Sequence, residues 1–181
     1  MNALSKLIVK AFISIIISLY VGFILQTGVF PRLALAGITP NILIVITSMF
    51  GFRLGARYGM ATGFIAGLML DIYSGAYFGM YALIYTYIGG LNGMMARLYF
   101  GDDIKLPLFL AGGSDFLYGM IVYVSMFLMR GESEPGFYIR NVIMPEAVYT
   151  TVVAVFLYYP LTRLCRWVDN NDERPRSREL V

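Results

Sequence analysis

Charge is confined to short gaps between long uncharged runs. No Asp, Glu, Lys or Arg occurs in Ala11 to Pro31, Leu33 to Phe52, Tyr58 to Leu70, Ile72 to Ala96 or Ala147 to Thr162, and Leu106 to Met129 carries only Asp115. About 20 apolar residues carry a helix across the ~30 Å hydrocarbon core of a bilayer. The runs predict helices near 8–30, 34–52, 58–77, 78–97, 106–129 and 144–165. The first is too long for the apolar region of a signal peptide and lacks a small-residue cleavage pattern. With 59% hydrophobic and 14% charged residues in a chain of 181, a soluble domain could not hide its apolar surface. The fold class is therefore an all-α integral membrane bundle of about six transmembrane helices. One domain is expected over 1–166, with a disordered, mixed-charge cytoplasmic tail over 167–181 and no extramembrane domain.

Basic residues orient the bundle. If the N-terminus is cytoplasmic, the inner segments hold Lys6, Lys10, Arg53, Arg57, Arg97, Lys105, Arg163, Arg166, Arg174, Arg176 and Arg178, against Arg32, Arg130 and Arg140 outside. This asymmetry fits six crossings with both termini cytoplasmic in a bacterial cell membrane. Treating 41–70 as a re-entrant hairpin instead would leave Arg53 and Arg57 near the bilayer centre, at about 3 kcal/mol each. The same placement accounts for the net charge of +3 without a nucleic-acid partner.

The composition excludes several chemistries. There is no histidine, so His-based triads and HExxH zinc sites are ruled out, and the single Cys165 forms no internal disulfide. No nucleophile–base pair, nucleotide loop or metal cluster is legible, so no catalytic residue, metal or cofactor is expected.

Four features stand out instead. Gly51, Gly55, Gly59, Gly63 and Gly67 recur every fourth position, Asp71 takes the next rung, and Gly75 and Gly79 resume. In lipid, helices associate through close backbone approach at small residues, so Gly59, Gly63 and Gly67 predict a tight crossing, inside the bundle or with a partner. Asp71 lies on the flank of that stripe, facing protein; it is either a functional intramembrane acid or a cap closing the turn with Ser74 and Gly75. Asp115 falls about 14 Å into the fifth span. It must be paired, hydrogen-bonded or protonated, with Asn92, Tyr20 and Tyr118 as polar candidates and no second acid expected at its depth. Finally, Pro145-Glu146 opens the last helix and Pro40-Asn41 the second, both on the outer side, where with Arg140 they could form a polar patch.

Thr39-Pro40-Asn41, the block Gly63-x-x-x-Gly67-Leu-x-x-Asp71-x-x-x-Gly75-x-x-x-Gly79-x-x-x-Leu83, and Pro145-Glu146-x-x-Tyr149 before a closing apolar helix together resemble the MreD family of rod shape-determining proteins. Thr150 or Thr151 stands where that last helix often carries Asn. The resemblance runs from the first helix to Arg166. It implies a non-enzymatic subunit of the bacterial elongasome, associated with the bitopic protein MreC. Through MreC it implies links to MreB, RodA and a class B penicillin-binding protein. It also implies a fold similar to the substrate-binding subunits of energy-coupling-factor vitamin transporters.

The leading reading is a membrane scaffold for cell shape and lateral peptidoglycan synthesis. A vitamin-binding transporter subunit is the alternative. It would require an outward polar cage, for which only Asp71, Glu146, Asn41 and some tyrosines are available, and no Ala-x-x-x-Ala docking motif occurs. An intramembrane aspartyl protease would need Asp71 and Asp115 about 3 Å apart. The expected depths, Asp71 outer and Asp115 deep or inner, argue against it.

Overall fold

The structure, a computed structural model, describes residues 3–34, 37–75, 78–96, 104–126 and 135–169, and every regular element among them is helical. Helix α1 (Ala3–Ile24) runs on through a π-helical turn (Leu25–Val29) and a 3-10 turn (Phe30–Leu33). Helices α2 (Ile42–Leu54), α3 (Ala56–Ser74), α4 (Met80–Met95) and α5 (Lys105–Met126) follow. The short α6 (Pro135–Tyr138), a second π turn (Ile139–Ile143) and α7 (Met144–Asp169) join end to end into one rod.

Each π turn stands just ahead of a proline. Phe30 N–H donates to Leu25 O and Met144 N–H to Ile139 O, five residues back, immediately before Pro31 and Pro145. A proline ring collides with the carbonyl four residues earlier. Widening the preceding turn moves that carbonyl aside, so the rod continues through the proline. Pro145 therefore lies inside a long rod, where the sequence pattern had it opening a helix.

Helix α2 begins at Ile42 rather than near 34. Pro40 biases Thr39 away from helical geometry, and the Asn41 side chain caps the new helix by accepting from Ile44 N–H at 3.3 Å. From Ile42 to Gly51 every α2 residue is buried, as befits a helix that is apolar all round. It touches α1, α3, α4, α5 and α7 and forms the axis of the bundle. A single residue, Gly55, separates α2 from α3; its φ of +97° lies in the left-handed region that glycine enters without strain.

Three segments, Ile8–Leu33, Lys105–Ser125 and Gly136–Val168, are long and apolar enough to cross a membrane. Helix α2 is apolar but has 13 residues, about 20 Å of rise. Large apolar side chains such as Phe12, Ile17, Phe109, Val148 and Phe156 face outward, an arrangement suited to lipid. Helices α1 and α7 meet at both ends of the bundle. Lys10 Nζ sits 5.1 Å from the Trp167 ring at one end, and Tyr149 Oη donates to Leu33 O at 3.2 Å at the other. Tyr149 and Trp167 are separated by roughly 27 Å of helical rise, close to one hydrocarbon thickness. Helix α7 continues past residue 166, and Val168 is buried. The tail from residue 170 onward, Arg97 and Arg130 lie outside the described residues.

Candidate functional site

Helices α3 and α4 make the most extensive contact in the bundle, and the glycines explain why. A Cβ at Gly59 would strike the Gly89 carbonyl, one at Gly63 the Tyr85 carbonyl, and one at Gly67 the backbone of Tyr81 and Ala82. The opposing helix contributes its own small residues. A Cβ at Gly89 would run into the Gly59 carbonyl, and one at Gly93 into Ala56. The Gly89-x-x-x-Gly93 spacing of the fourth helix carries the same signal in the sequence. Gly51 joins from α2, where an added Cβ would lie 2.6 Å from Gly89 O. Gly55, Gly75 and Gly79 belong to the connections: each has positive φ, and open space surrounds the position of its absent Cβ. The four-residue ladder thus combines a helix crossing with three turn glycines.

Asp71 ends the crossing. Its Oδ1 accepts from Tyr81 N–H and its Oδ2 from Ala82 N–H, both at 3.0 Å, and the residue is 1% exposed. These are amides of the first turn of α4, which lack intrahelical partners. A carboxylate there also faces the positive end of the helix dipole. The capping reading of Asp71 fits this geometry, with the start of the following helix as the group capped. At Gly75, φ +63°, the chain leaves α3 and Gly75 N–H donates to Asp71 O.

At the same end of the bundle a polar chamber brings α2, α4, α5 and α7 together. Asn41 N–H donates to Thr150 Oγ1 at 3.0 Å, and Asn41 Oδ1 accepts from Tyr85 Oη at 2.7 Å as well as from Ile44 N–H. Gln26, in the first π turn, accepts from Leu43 N–H at 3.0 Å. The free amides that open α2 are thus satisfied by its own cap, Asn41, and from two other elements, the first π turn and α7. Tyr118 of α5 packs edge-on to Tyr85, with ring centroids 5.5 Å apart, and 6.2 Å from Tyr81.

Asp115 lies in this chamber, 2% exposed. Asn41 and Thr150 stand beside it, yet neither carboxylate oxygen completes a hydrogen bond. An acidic side chain facing it is Glu146, one turn before Thr150 on α7. Two sequence expectations are corrected here. A second acid does accompany Asp115, and Asp115 lies level with the start of α2 rather than towards the inner half. A residue count from Leu106 gives only a distance along α5; the neighbour that fixes the level of Asp115 is Asn41, the N-cap of α2.

The other candidate partners of Asp115 divide. Tyr118 is its neighbour, whereas Tyr20 is 62% exposed. Asn92 makes a separate contact among α2, α4 and α5: its Nδ2 donates to Ile88 O and Ser114 Oγ at 2.8 Å and approaches Ser48 Oγ at 3.4 Å. The outer residues also separate. Asn41 and Glu146 turn inward, while Arg140 and Pro145 are exposed at the second π turn. An aspartyl dyad of Asp71 and Asp115 does not fit, because backbone amides occupy both Asp71 oxygens and the acid facing Asp115 is Glu146.

The family model of the rod shape-determining protein MreD matches residues 6–168. The chain belongs to the MreD family. No curated protein and no solved structure matches it. The MreD match contains the whole α3–α4 crossing, the Asp71 cap and the polar chamber, and ends at Val168 near the close of α7. It makes the chain a rod shape-determining membrane protein and lends no support to a vitamin-transport role. Asp71 and Asn41, the first candidates for a vitamin cage, are engaged in holding the starts of α4 and α2.

Proposed function

We propose that this MreD-family chain is a non-enzymatic scaffold of the bacterial cell-elongation complex. It regulates cell shape and lateral peptidoglycan synthesis through helix contacts with an MreC-like bitopic protein, and through that protein with MreB, RodA and a class B penicillin-binding protein. The observation that carries this reading is the family match across residues 6–168. The internal engagement of Asp71 and Asn41 supports it, since their polar atoms fix helix starts. The broad apolar outer faces of α1, α5 and α7 supply surface for helix docking in lipid. We further propose six crossings with both termini in the cytoplasm. This is supported by Lys10, Trp167 and Arg163 gathering at one end of the bundle and the Leu33–Tyr149 contact at the other. A pull-down of the tagged full chain in mild detergent tests the scaffold. Recovery of an MreC-like protein with peptidoglycan-synthesis proteins is expected; recovery of transporter ATPases without them would reject it.

A further inference from the structure

At the end of the bundle where Lys10 meets Trp167, two neighbouring clefts share one lining side chain. The first, about 500 Å³, lies between the start of α5 and the last turns of α7 and is lined by Ile104, Tyr158, Tyr159, Thr162, Arg163 and Arg166. The second, about 550 Å³, runs between α1 and α7 over Ile13, Ile17, Pro160, Leu164 and Trp167, and shares Arg163. Their chemistry differs sharply. The first offers two guanidinium groups and two phenols. No acidic side chain is among its described lining residues. Arg53 donates to Tyr158 Oη at 3.0 Å and so brings a further cation to its wall. The second cleft is almost wholly apolar, and the Lys10 ammonium over Trp167 stands at its mouth.

A ligand that fills both must carry an anionic head and a hydrocarbon chain. We propose that the two clefts together bind one anionic glycerophospholipid. Its phosphate is held by Arg163 and Arg166, and one acyl chain lies along Ile13, Ile17 and Leu164. Guanidinium forks match phosphate oxygens in pairs. A zwitterionic lipid brings its own ammonium against the two arginines, so the site selects a headgroup of net negative charge. Free phosphate would satisfy the arginines and leave the apolar cleft unused.

Native mass spectrometry of the full chain, released from mild detergent holding equal amounts of phosphatidylglycerol and phosphatidylcholine, tests this. The unaltered protein should retain phosphatidylglycerol several-fold over phosphatidylcholine. Arg163→Gln and Arg166→Gln should each lower that preference about fivefold, while Arg140→Gln, at the opposite end, leaves it intact. Ile17→Trp, which fills the apolar cleft and removes no charge, should lower retention of both lipids. That variant decides the matter if the arginine variants lose helicity in circular dichroism. Equal retention of the two lipids by the unaltered protein overturns the proposal, as does undiminished retention in a folded Arg163→Gln/Arg166→Gln double variant or in folded Ile17→Trp. Displacement of phosphatidylglycerol by inorganic phosphate would assign the clefts to the free anion and overturn the lipid assignment. Lipid retention needs no partner protein, so this result is independent of the scaffold reading.

Discussion

Asp71 and Asp115 are both buried acids in an apolar chain, and their surroundings give them different tasks. Asp71 spends both oxygens on the amides of Tyr81 and Ala82. Asn at that position keeps one acceptor and sets an NH2 group against an amide N–H, and Ala removes both acceptors. Unfolding of the purified protein in mixed micelles should therefore show Asp71→Asn less stable by about 1 kcal/mol and Asp71→Ala by about 2 kcal/mol. Unchanged stability of Asp71→Ala would show that the cap contributes nothing. Asp115 has neighbours without a formed hydrogen bond to either oxygen. Asn there preserves shape and most hydrogen-bonding capacity and relieves the approach of Glu146, so Asp115→Asn should be nearly silent in stability and in cell-shape rescue. Asp115→Leu sets a larger side chain into a buried site and should cost about 1–3 kcal/mol through overpacking. A folded, complex-bound but inactive Asp115→Asn variant would show that the acid does more than fill the chamber.

At the scale of elements, glycines that look alike in the sequence divide by what faces them. Gly63 lies against the Tyr85 carbonyl, part of a helix that cannot yield locally, whereas a Cβ at Gly113 meets nothing within 4 Å. Gly63→Ala should force α3 and α4 apart at about 1–3 kcal/mol, and Gly63→Leu should abolish accumulation of the folded protein. Gly113→Ala should be neutral or stabilising by up to about 1 kcal/mol, because alanine loses less backbone entropy in a helix. Comparing thermal midpoints of the two alanine variants in detergent checks this; equal losses would mean that the α3–α4 approach is not tight. The ladder was legible because a four-residue period is a property of one chain segment. Its partner surface on α4, and the assignment of Gly55, Gly75 and Gly79 to turns, depended on which helix lies opposite and on φ angles that spacing does not encode.

For the molecule as a whole, the two α1–α7 contacts set its length, and the basic residues set its direction. With six crossings, a cysteine placed at Glu134 in a Cys165→Ala background should react with an impermeant reagent added to intact cells, and one at Asn171 should not. Labelling at Asn171 would reverse the proposed orientation. Membrane residence, helical class and family were determined by the sequence alone. Uncharged runs of about 20 residues have no other stable solvent than lipid, and Pro40-Asn41, the Gly/Asp block and Pro145-Glu146 lie at recognisable intervals along one strand of text. Tertiary structure alone decided that Asn41, Asp115, Glu146 and Thr150 share a chamber. Their separations in the chain, 31 to 109 residues between α2, α5 and α7, carry no distance information. Depth is the clearest case. Counting residues from Leu106 measures a distance along one helix and does not say which residues of other helices lie at that level. Asn41 and Glu146 reach the level of Asp115 through the packing of α2 and α7 against α5, a contact between distant segments that no local pattern records.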